Sequence, residues 1–255
     1  MSTSAPTPAR ILLVTGGSRG IGAATAVHAA RAGWDVAINY TRDAQAAEAV
    51  AGEVRALGSR ALVVQADVAD EAQVLAMFAA VDAALGPVTG LVNNAGVVDL
   101  PARVDEMSLQ RLQRMWAINI TGTFVCTREA LKRMSRRHGG PGGAIVNLSS
   151  AAARLGAPNQ YVDYAASKGA IDTFTLGLAR EVAAEGVRVN GVRPGIIDTD
   201  IHASGGQPDR AAQMAPSVPL QRAGTSEEVA AAIVWLLSDE ASYATGTIID
   251  VTGGR

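Results

Sequence analysis

Seven short runs of β-branched and aliphatic residues recur along this chain, and an alanine-rich stretch with helical spacing separates each from the next. They read as strands over Ile11 to Thr15, Val36 to Tyr40, Ala61 to Gln65, Gly90 to Asn93, Ala144 to Leu148, Arg188 to Val192 and Thr247 to Val251. Strands joined by helices of about 10 to 25 residues do not pair as hairpins; such crossovers force a parallel sheet with right-handed connections. The expected fold is therefore α/β: one doubly wound, seven-stranded parallel sheet with helices on both faces. No Pro/Ser linker, composition break or internal repeat divides the chain, so residues 10–255 read as one domain, large enough to bury a substantial core. Met1 to Ala9, rich in Ser, Thr, Pro and Ala, reads as a flexible tail.

The first strand runs into Thr15-Gly16-Gly17-Ser18-Arg19-Gly20-Ile21-Gly22, and a helix opens there. Glycine at 16, 20 and 22 allows a tight turn, close approach of a pyrophosphate and close packing of helix on strand. The helix N-terminus adds unpaired N–H groups for anionic oxygen. Which nicotinamide cofactor fits depends on the end of the second strand, where an acid would grip the ribose 2′-hydroxyl of NAD. That stretch reads Asn39-Tyr40-Thr41-Arg42, without an acid, and Arg19 and Arg42 are placed to converge on a 2′-phosphate. NADP (NADPH) is the expected cofactor and NAD the less favoured one. Asp43 begins the next helix and reads as its N-terminal cap or a first-turn charge; the competing reading of Arg42 is a solvated surface charge.

Tyr164 and Lys168 stand four residues apart, downstream of the pair Ser149-Ser150. Positions i and i+4 share a helix face, so ammonium and phenol can serve one pocket. A phenol ionises near pH ~10, and lowering that by roughly two to three units takes about 3 to 4 kcal/mol, within reach of one fixed charge in a dry site. The pair is thus expected to exchange a proton near neutral pH. Its helix, roughly Val162 to Glu185, is apolar on more than one face: Val162, Ala166, Ile171, Phe174, Leu178 and Val182 do not form one stripe. The surplus points to self-association, against the alternative of an exposed alanine-rich helix.

A net charge of −2 and 18% charged residues leave no basic field for nucleic acid and no strong attraction to an anionic membrane. The single cysteine, Cys126, excludes an intrachain disulfide, and no signal-peptide core or long apolar run is present, so a cytoplasmic location is expected. His28, His138 and His202 lack ligand spacing, and no metal site is expected.

Further markers follow in order: Asp67-Val68, Asn93-Asn94-Ala95-Gly96, Asn119, Ser149-Ser150, Tyr164-Ala165-Ala166-Ser167-Lys168, and Pro194-Gly195-Ile196-Ile197 with Thr199. With the glycine turn, they make the chain resemble an ordinary-length short-chain dehydrogenase/reductase from Arg10 to the C-terminus. The resemblance implies a Rossmann catalytic domain in which Tyr164 is the acid/base, Lys168 lowers its pKa and holds the nicotinamide ribose, and Ser150 bonds the substrate oxygen. It implies that Asn119 binds a water linking Lys168 to solvent, that Asp67 and Val68 contact adenine, and that Asn94, Ala95 and Gly96 line the cofactor. Pro194 and Gly195 join that lining, and Ile197 with Thr199 hold the carboxamide side. Asn93 and Asn119 have a second reading, as ties for neighbouring strands and buried backbone. Many relatives place the serine thirteen residues before the tyrosine, where this chain has Ala151; one extra residue between Arg154 and Asp163 would leave the role with Ser150, with Ser149 ranked second. A homotetramer is also implied.

The segment from Asp198 to Arg222 reads as a mobile substrate lid, and its polar, glycine-rich composition leans towards a small polar ligand. The expected activity is hydride transfer between NADP and a small carbonyl or alcohol substrate, sugar or polyol type preferred. The alternative within the family is a 3-oxoacyl-carrier-protein reductase. Arg136, Arg137 and His138 could dock an acidic carrier, and Glu185 would oppose it. The alternative of another class is a non-catalytic NADP-sensing protein, which retention of both Tyr164 and Lys168 disfavours.

Overall fold

All seven expected strands form, with ends shifted by a residue or two: β1 (Ile11–Val14), β2 (Asp35–Tyr40), β3 (Ala61–Gln65), β4 (Gly90–Asn93), β5 (Gly143–Leu148), β6 (Val187–Pro194) and β7 (Ile248–Val251). They pair in parallel in the order β3-β2-β1-β4-β5-β6-β7. The computed structural model describes residues 10–255, and the tail expected over Met1 to Ala9 lies outside the described residues.

The ten α-helices are α1 (Gly20–Arg31), α2 (Ala44–Ala56), α3 (Glu71–Ala84), α4 (Leu109–Trp116), α5 (Gly122–Met134), α6 (Ala152–Leu155), α7 (Val162–Val182), α8 (Ile201–Ser204), α9 (Arg210–Met214) and α10 (Ser226–Leu237) among the described residues. Alternation of side chains along each strand feeds two cores. Leu12 and Val14 of β1 pack with residues of α1, α2 and α10, whereas Ile11 and Leu13 join residues of α3, α5 and α7 on the opposite face. Each fully buried leucine contributes about 1.5 to 3 kcal/mol. Side-chain caps start α2 (Asp43), α3 (Asp70), α4 (Ser108) and α10 (Thr225), worth about 1 kcal/mol each. Asp43 therefore has the capping role read for it, accepting from the Ala46 amide at 2.9 Å.

The sheet order turns about β1 and β4, so the loops leaving these neighbours run to opposite sides and open a crevice at the strands' C-terminal ends. The helix of Tyr164 is α-helical to Val182 and closes in a 3₁₀ turn, Ala183–Glu185, before Gly186 at φ 81°. Its expected surplus of apolar surface is smaller than the spacing implied. Ile171 and Leu178 are buried within the single chain, leaving Phe174, stacked on Phe124 at 3.9 Å between ring centres, with the exposed Leu176 beside it. Helix α7 packs on β6 and on the segment between α4 and α5, which consumes two faces at once. Among the described residues, no helix is long and apolar enough to cross a membrane, and no group of three His, Cys, Asp or Glu side chains could hold a metal ion.

Candidate active site

The glycine turn is held from below by one buried side chain. Asn39, in the last residues of β2, accepts from the Gly16 amide at 3.1 Å and donates to the Ala66 carbonyl at 3.0 Å, tying the turn to the end of β3. Asn94 braces it from the other side, its amide donating to the carbonyls of Thr15 and Gly16, both at 2.9 Å. Packing makes Gly22 obligatory: a Cβ there would lie 2.3 Å from the Gly16 carbonyl oxygen and 2.6 Å from Asn94 Nδ2. Gly16 and Gly20 take left-handed φ of 61° and 54°, a conformation that favours glycine. Helix α1 then starts at Gly20 with no side-chain cap and no acid in its first turn. Its free N–H groups and the lack of any Cβ over the turn fit the pyrophosphate of a dinucleotide.

Ser18 and Arg19 lead into α1, and Arg19 reaches Ser204 Oγ at 3.5 Å. Tyr40 is half-buried at the end of β2, followed by exposed Thr41 and Arg42. Neither Arg19 nor Arg42 has a carboxylate partner among the described residues. Asp67 closes the turn after β3, accepting from the Ala69 amide at 2.9 Å. Val68 is buried, facing Gly122 so closely that a Cβ there would stand 2.8 Å from it. Its side chain is part of the packing between sheet and α5.

A cleft of about 540 Å³ opens at the crossover, and Tyr164, Lys168, Ser150, Gly96 and Ile21 all line it. Asn94, Pro194, Gly195, Ile197 and Thr199 complete the part of its wall read from the sequence. Gly16, Gly20, Gly22, Tyr40, Asp67, Val68 and Ala95 are not on this wall; they follow the C-terminal edge of β1 to β4.

Lys168 is 5% exposed and donates to the Leu148 carbonyl at 2.6 Å, with its Nζ 5.7 Å from the centre of the Tyr164 ring. Burial pulls its pKa down to about 8, and the Asp172 carboxylate one turn on partly opposes this. The Tyr164 hydroxyl departs from the expectation: burial raises its pKa above the ordinary phenol, and the hydrogen bond with Ser150 only partly offsets the rise. The ammonium is directed at a main-chain carbonyl and not at the phenol, so desolvation wins. At neutral pH the tyrosine is a protonated donor.

The two serines have different partners. Ser150 faces Tyr164, while buried Ser149 donates to the Lys168 carbonyl at 3.2 Å. The loop between them and α7 carries Gly156, Ala157 and Asn159 at φ 74°, 44° and 60°, a concentration of left-handed residues beside the site. Asn119 sits in a π-helical turn, Ala117–Thr121, between α4 and α5. Its side chain accepts from the Val97 amide at 2.8 Å and donates to the Val97 carbonyl at 3.0 Å. A Cβ on Gly96 would stand 3.5 Å from Asn119 Oδ1 and 3.6 Å from Lys168 Nζ, so the two converge on that glycine. Asn93 ties strands, donating to Asn147 Oδ1 at 2.8 Å.

Three site features escaped the sequence. Asn39 had a signal, a lone amide after the aliphatic run Val36 to Ile38 of β2. Arg111 and Asp163 form a buried ion pair directly before Tyr164, and Arg210 enters the cleft from α9. Conversely, Arg136, Arg137, His138 and Glu185 are not at the site mouth. They occupy the turns that enter β5 and β6, where Arg137 and Glu185 stand 4.0 Å apart. Parallel strands of six and eight residues put about 20 Å or more between that edge and the cleft. The basic residues and the acid read for carrier docking thus lie at the edge of the sheet away from the cleft.

The cleft-facing side chains of the segment 198–222 differ from its overall polar composition. Of the segment 198–222, the side chains bordering the cleft are Thr199, Ile201, Arg210 and Met214, while Ser204, Pro208 and Pro216 face solvent. Val98, Leu155, Pro158 and Ile196 also line it, and the cleft is mainly apolar.

A family model described as enoyl-(acyl carrier protein) reductase matches residues 16–255. The uncharacterized oxidoreductase YgfF of Escherichia coli is 56% identical over 245 residues, covering 96% of this chain and 99% of its own. The NADPH-dependent aldehyde reductase-like protein of Arabidopsis thaliana chloroplasts is 36% identical over 260 residues, covering 98% and 95%. The 3-oxoacyl-[acyl-carrier-protein] reductase FabG of Staphylococcus aureus is 37% identical over 246 residues, covering 95% and 96%. A crystal structure of a short-chain type dehydrogenase/reductase from Mycobacterium marinum superposes with a TM-score of 0.89 at 34% identity, covering 96% of this chain and 94% of the other. A single parallel sheet, a dinucleotide turn and a tyrosine–lysine pair in one cleft agree with these similarities, and the chain belongs to the short-chain dehydrogenase/reductase family of NAD(P)-dependent oxidoreductases.

Proposed function

We propose that this chain is an NADPH-dependent carbonyl reductase, and alcohol dehydrogenase in reverse, whose proton donor is Tyr164. The observation that carries the reading is the convergence of Tyr164, Ser150 and Lys168 on one cleft beside an uncapped dinucleotide turn. A nicotinamide cofactor held along the glycine turn would supply the hydride. Tyr164, protonated at neutral pH, gives its phenolic proton to the substrate oxygen as the carbonyl carbon is reduced. Ser150 donates a hydrogen bond to the same oxygen and so polarises the carbonyl. Lys168, charged below a pH of about 8, stabilises the phenolate left behind. We assign Asn119 to proton return through a bound water, and the glycine turn, Asp67, Ala95, Gly96, Pro194, Gly195, Ile197 and Thr199 to holding the cofactor. Asn94 and Val68 are assigned as supports of that surface, since their side chains serve the turn and the core.

NADP is favoured over NAD by the two arginines without carboxylate partners and by the engagement of Asp43 as a helix cap. The lid composition favours a sugar or polyol, but the apolar wall is better suited to a carbonyl compound with an apolar body. A 3-oxoacyl-carrier-protein reductase is the second reading, favoured by the similarity to the Staphylococcus aureus enzyme. A homotetramer in the cytoplasm completes the proposal; the exposed Phe124, Leu176 and Trp116 supply apolar surface for one contact.

The test is consumption of NADPH and NADH, followed by absorbance, over neutral aldehydes, ketones, sugars and an acyl-carrier substrate. Tyr164→Phe should abolish turnover and still bind NADPH. Turnover at the wild-type rate in that variant refutes the assignment, and absence of any turnover by the wild type favours the cofactor-sensing alternative.

A further inference from the structure

Among the residues lining the cleft there is no aspartate or glutamate, and the charged ones are Lys168, Arg210 and Arg255. Lys168 is engaged with the Leu148 carbonyl. Arg210 has no part in the chemistry proposed above, yet it is carefully oriented. Its Nη1 donates to Gln207 Oε1 at 2.6 Å, the same oxygen accepts from the Tyr161 hydroxyl at 2.9 Å, and the guanidinium lies 5.2 Å from the centre of the Tyr161 ring. Every group that positions it is neutral. By contrast Arg111 and Arg193, which reach side chains of α7, are each matched by a carboxylate, Asp163 and Asp172. Arg210 is half-buried with no ion-pair partner among the described residues, so most of its N–H fork is uncommitted.

A guanidinium held by an amide and an aromatic ring beside an apolar wall is a bidentate receptor for a planar anion. Partial burial strengthens that attraction relative to water. We propose that the substrate carries a carboxylate, which Arg210 receives while the apolar wall holds the body and the carbonyl faces Tyr164 and Ser150. The substrate class is then a small oxo acid or a formyl- or acyl-substituted carboxylate. This rests on the reading of the chain as a carbonyl reductase, and it makes Arg210 a specificity determinant for that activity.

4-Acetylbenzoate and its methyl ester share the ketone and ring and differ in charge. Each is titrated by calorimetry into the protein saturated with NADP⁺, where the ketone cannot be reduced. The acid should bind at least about tenfold tighter than the ester, equivalent to about 1.4 kcal/mol. That ratio should collapse to near one in Arg210→Met and hold an intermediate value in Arg210→Lys. Equal binding by the wild type, or a preference that survives Arg210→Met, overturns the proposal. If Arg210→Met does not fold, Arg210→Gln answers the same question. NADPH turnover of both compounds separates the two readings. Preferential binding of the acid with no reduction of either compound leaves the carboxylate site standing and sinks the reductase reading, while equal kcat/KM values do the reverse. Phenyl phosphate serves as competitor; if it displaces 4-acetylbenzoate more effectively than benzoate does, the site selects phosphate and the carboxylate assignment fails.

Discussion

Asp163→Asn should be among the most damaging single-atom changes in this protein. The Asp163 side chain is 0% exposed and that of Arg111 10%. Two hydrogen bonds join them, at 2.7 and 3.1 Å, and Arg111 Nη1 also donates to the Leu100 carbonyl at 2.6 Å. One guanidinium thus fastens α4, the first turn of α7 and the segment after β4. The hydrogen bond to Asp163 raises the arginine above its ordinary pKa; when that partner is removed the intrinsic basicity of the guanidinium still keeps the charge at neutral pH. Breaking a buried pair from one side costs about 3 to 5 kcal/mol because a charge is left uncompensated. For a domain of this size, about 2 to 4 °C of Tm per kcal/mol gives a fall of roughly 6 to 20 °C, measurable by scanning calorimetry. The double variant Arg111→Met with Asp163→Leu removes both charges and should recover at least half of the loss. Since Tyr164 follows Asp163, kcat of Asp163→Asn should also fall when assayed well below its Tm. A Tm drop under about 2 °C, or losses that simply add in the double variant, would refute the claim that this pair is a buried clamp.

Replacing Ser150 by Ala should lower kcat by about two orders of magnitude, whereas Ser149→Ala should be mild; steady-state kinetics showing the reverse order would move the role to Ser149. Arg19→Ala and Arg42→Ala should each weaken NADPH by about ten- to a hundredfold and NADH far less, and Tyr40→Asp should reverse the preference. Fluorescence titration with both cofactors checks this, and equal wild-type affinities would mean that both arginines are surface charges. Lys168 binds its proton less tightly folded, at about 8, than unfolded, at 10.5. The unfolded state therefore holds more protons between those values, and stability from this group rises with pH across that window, by roughly 3 kcal/mol at full extent. Thermal melts of the wild type and Lys168→Met should diverge above pH about 8; parallel curves would contradict the burial of a charged lysine. Light scattering at micromolar concentration should find a tetramer, and a monodisperse monomer would refute assembly through the Phe124 face.

What this sequence determined by itself was whatever depends on near neighbours along the chain. Strand positions followed from β-branched runs, the parallel sheet from the crossovers between them, and the capping role of Asp43 from its place at a helix start. The spacing of Tyr164 and Lys168 put both on one face of one helix, and the cleft did gather them with Ser150. Tertiary structure decided everything that joins distant segments. Asn39 meets Gly16 across 23 residues, Arg111 meets Asp163 across 52, and the Tyr161 hydroxyl meets Gln207 across 46. No periodicity encodes such pairs, because they depend on which loops the sheet order brings together. The direction of the strands likewise sent Arg136, Arg137 and His138 to the edge away from the cleft, although their composition resembled a docking patch. Burial, too, exists only in the folded chain: it absorbed Ile171 and Leu178 into the core, and it raised the Tyr164 pKa where local charge alone had predicted a fall. A side chain's charge is written in the sequence, but its solvent is supplied by the fold.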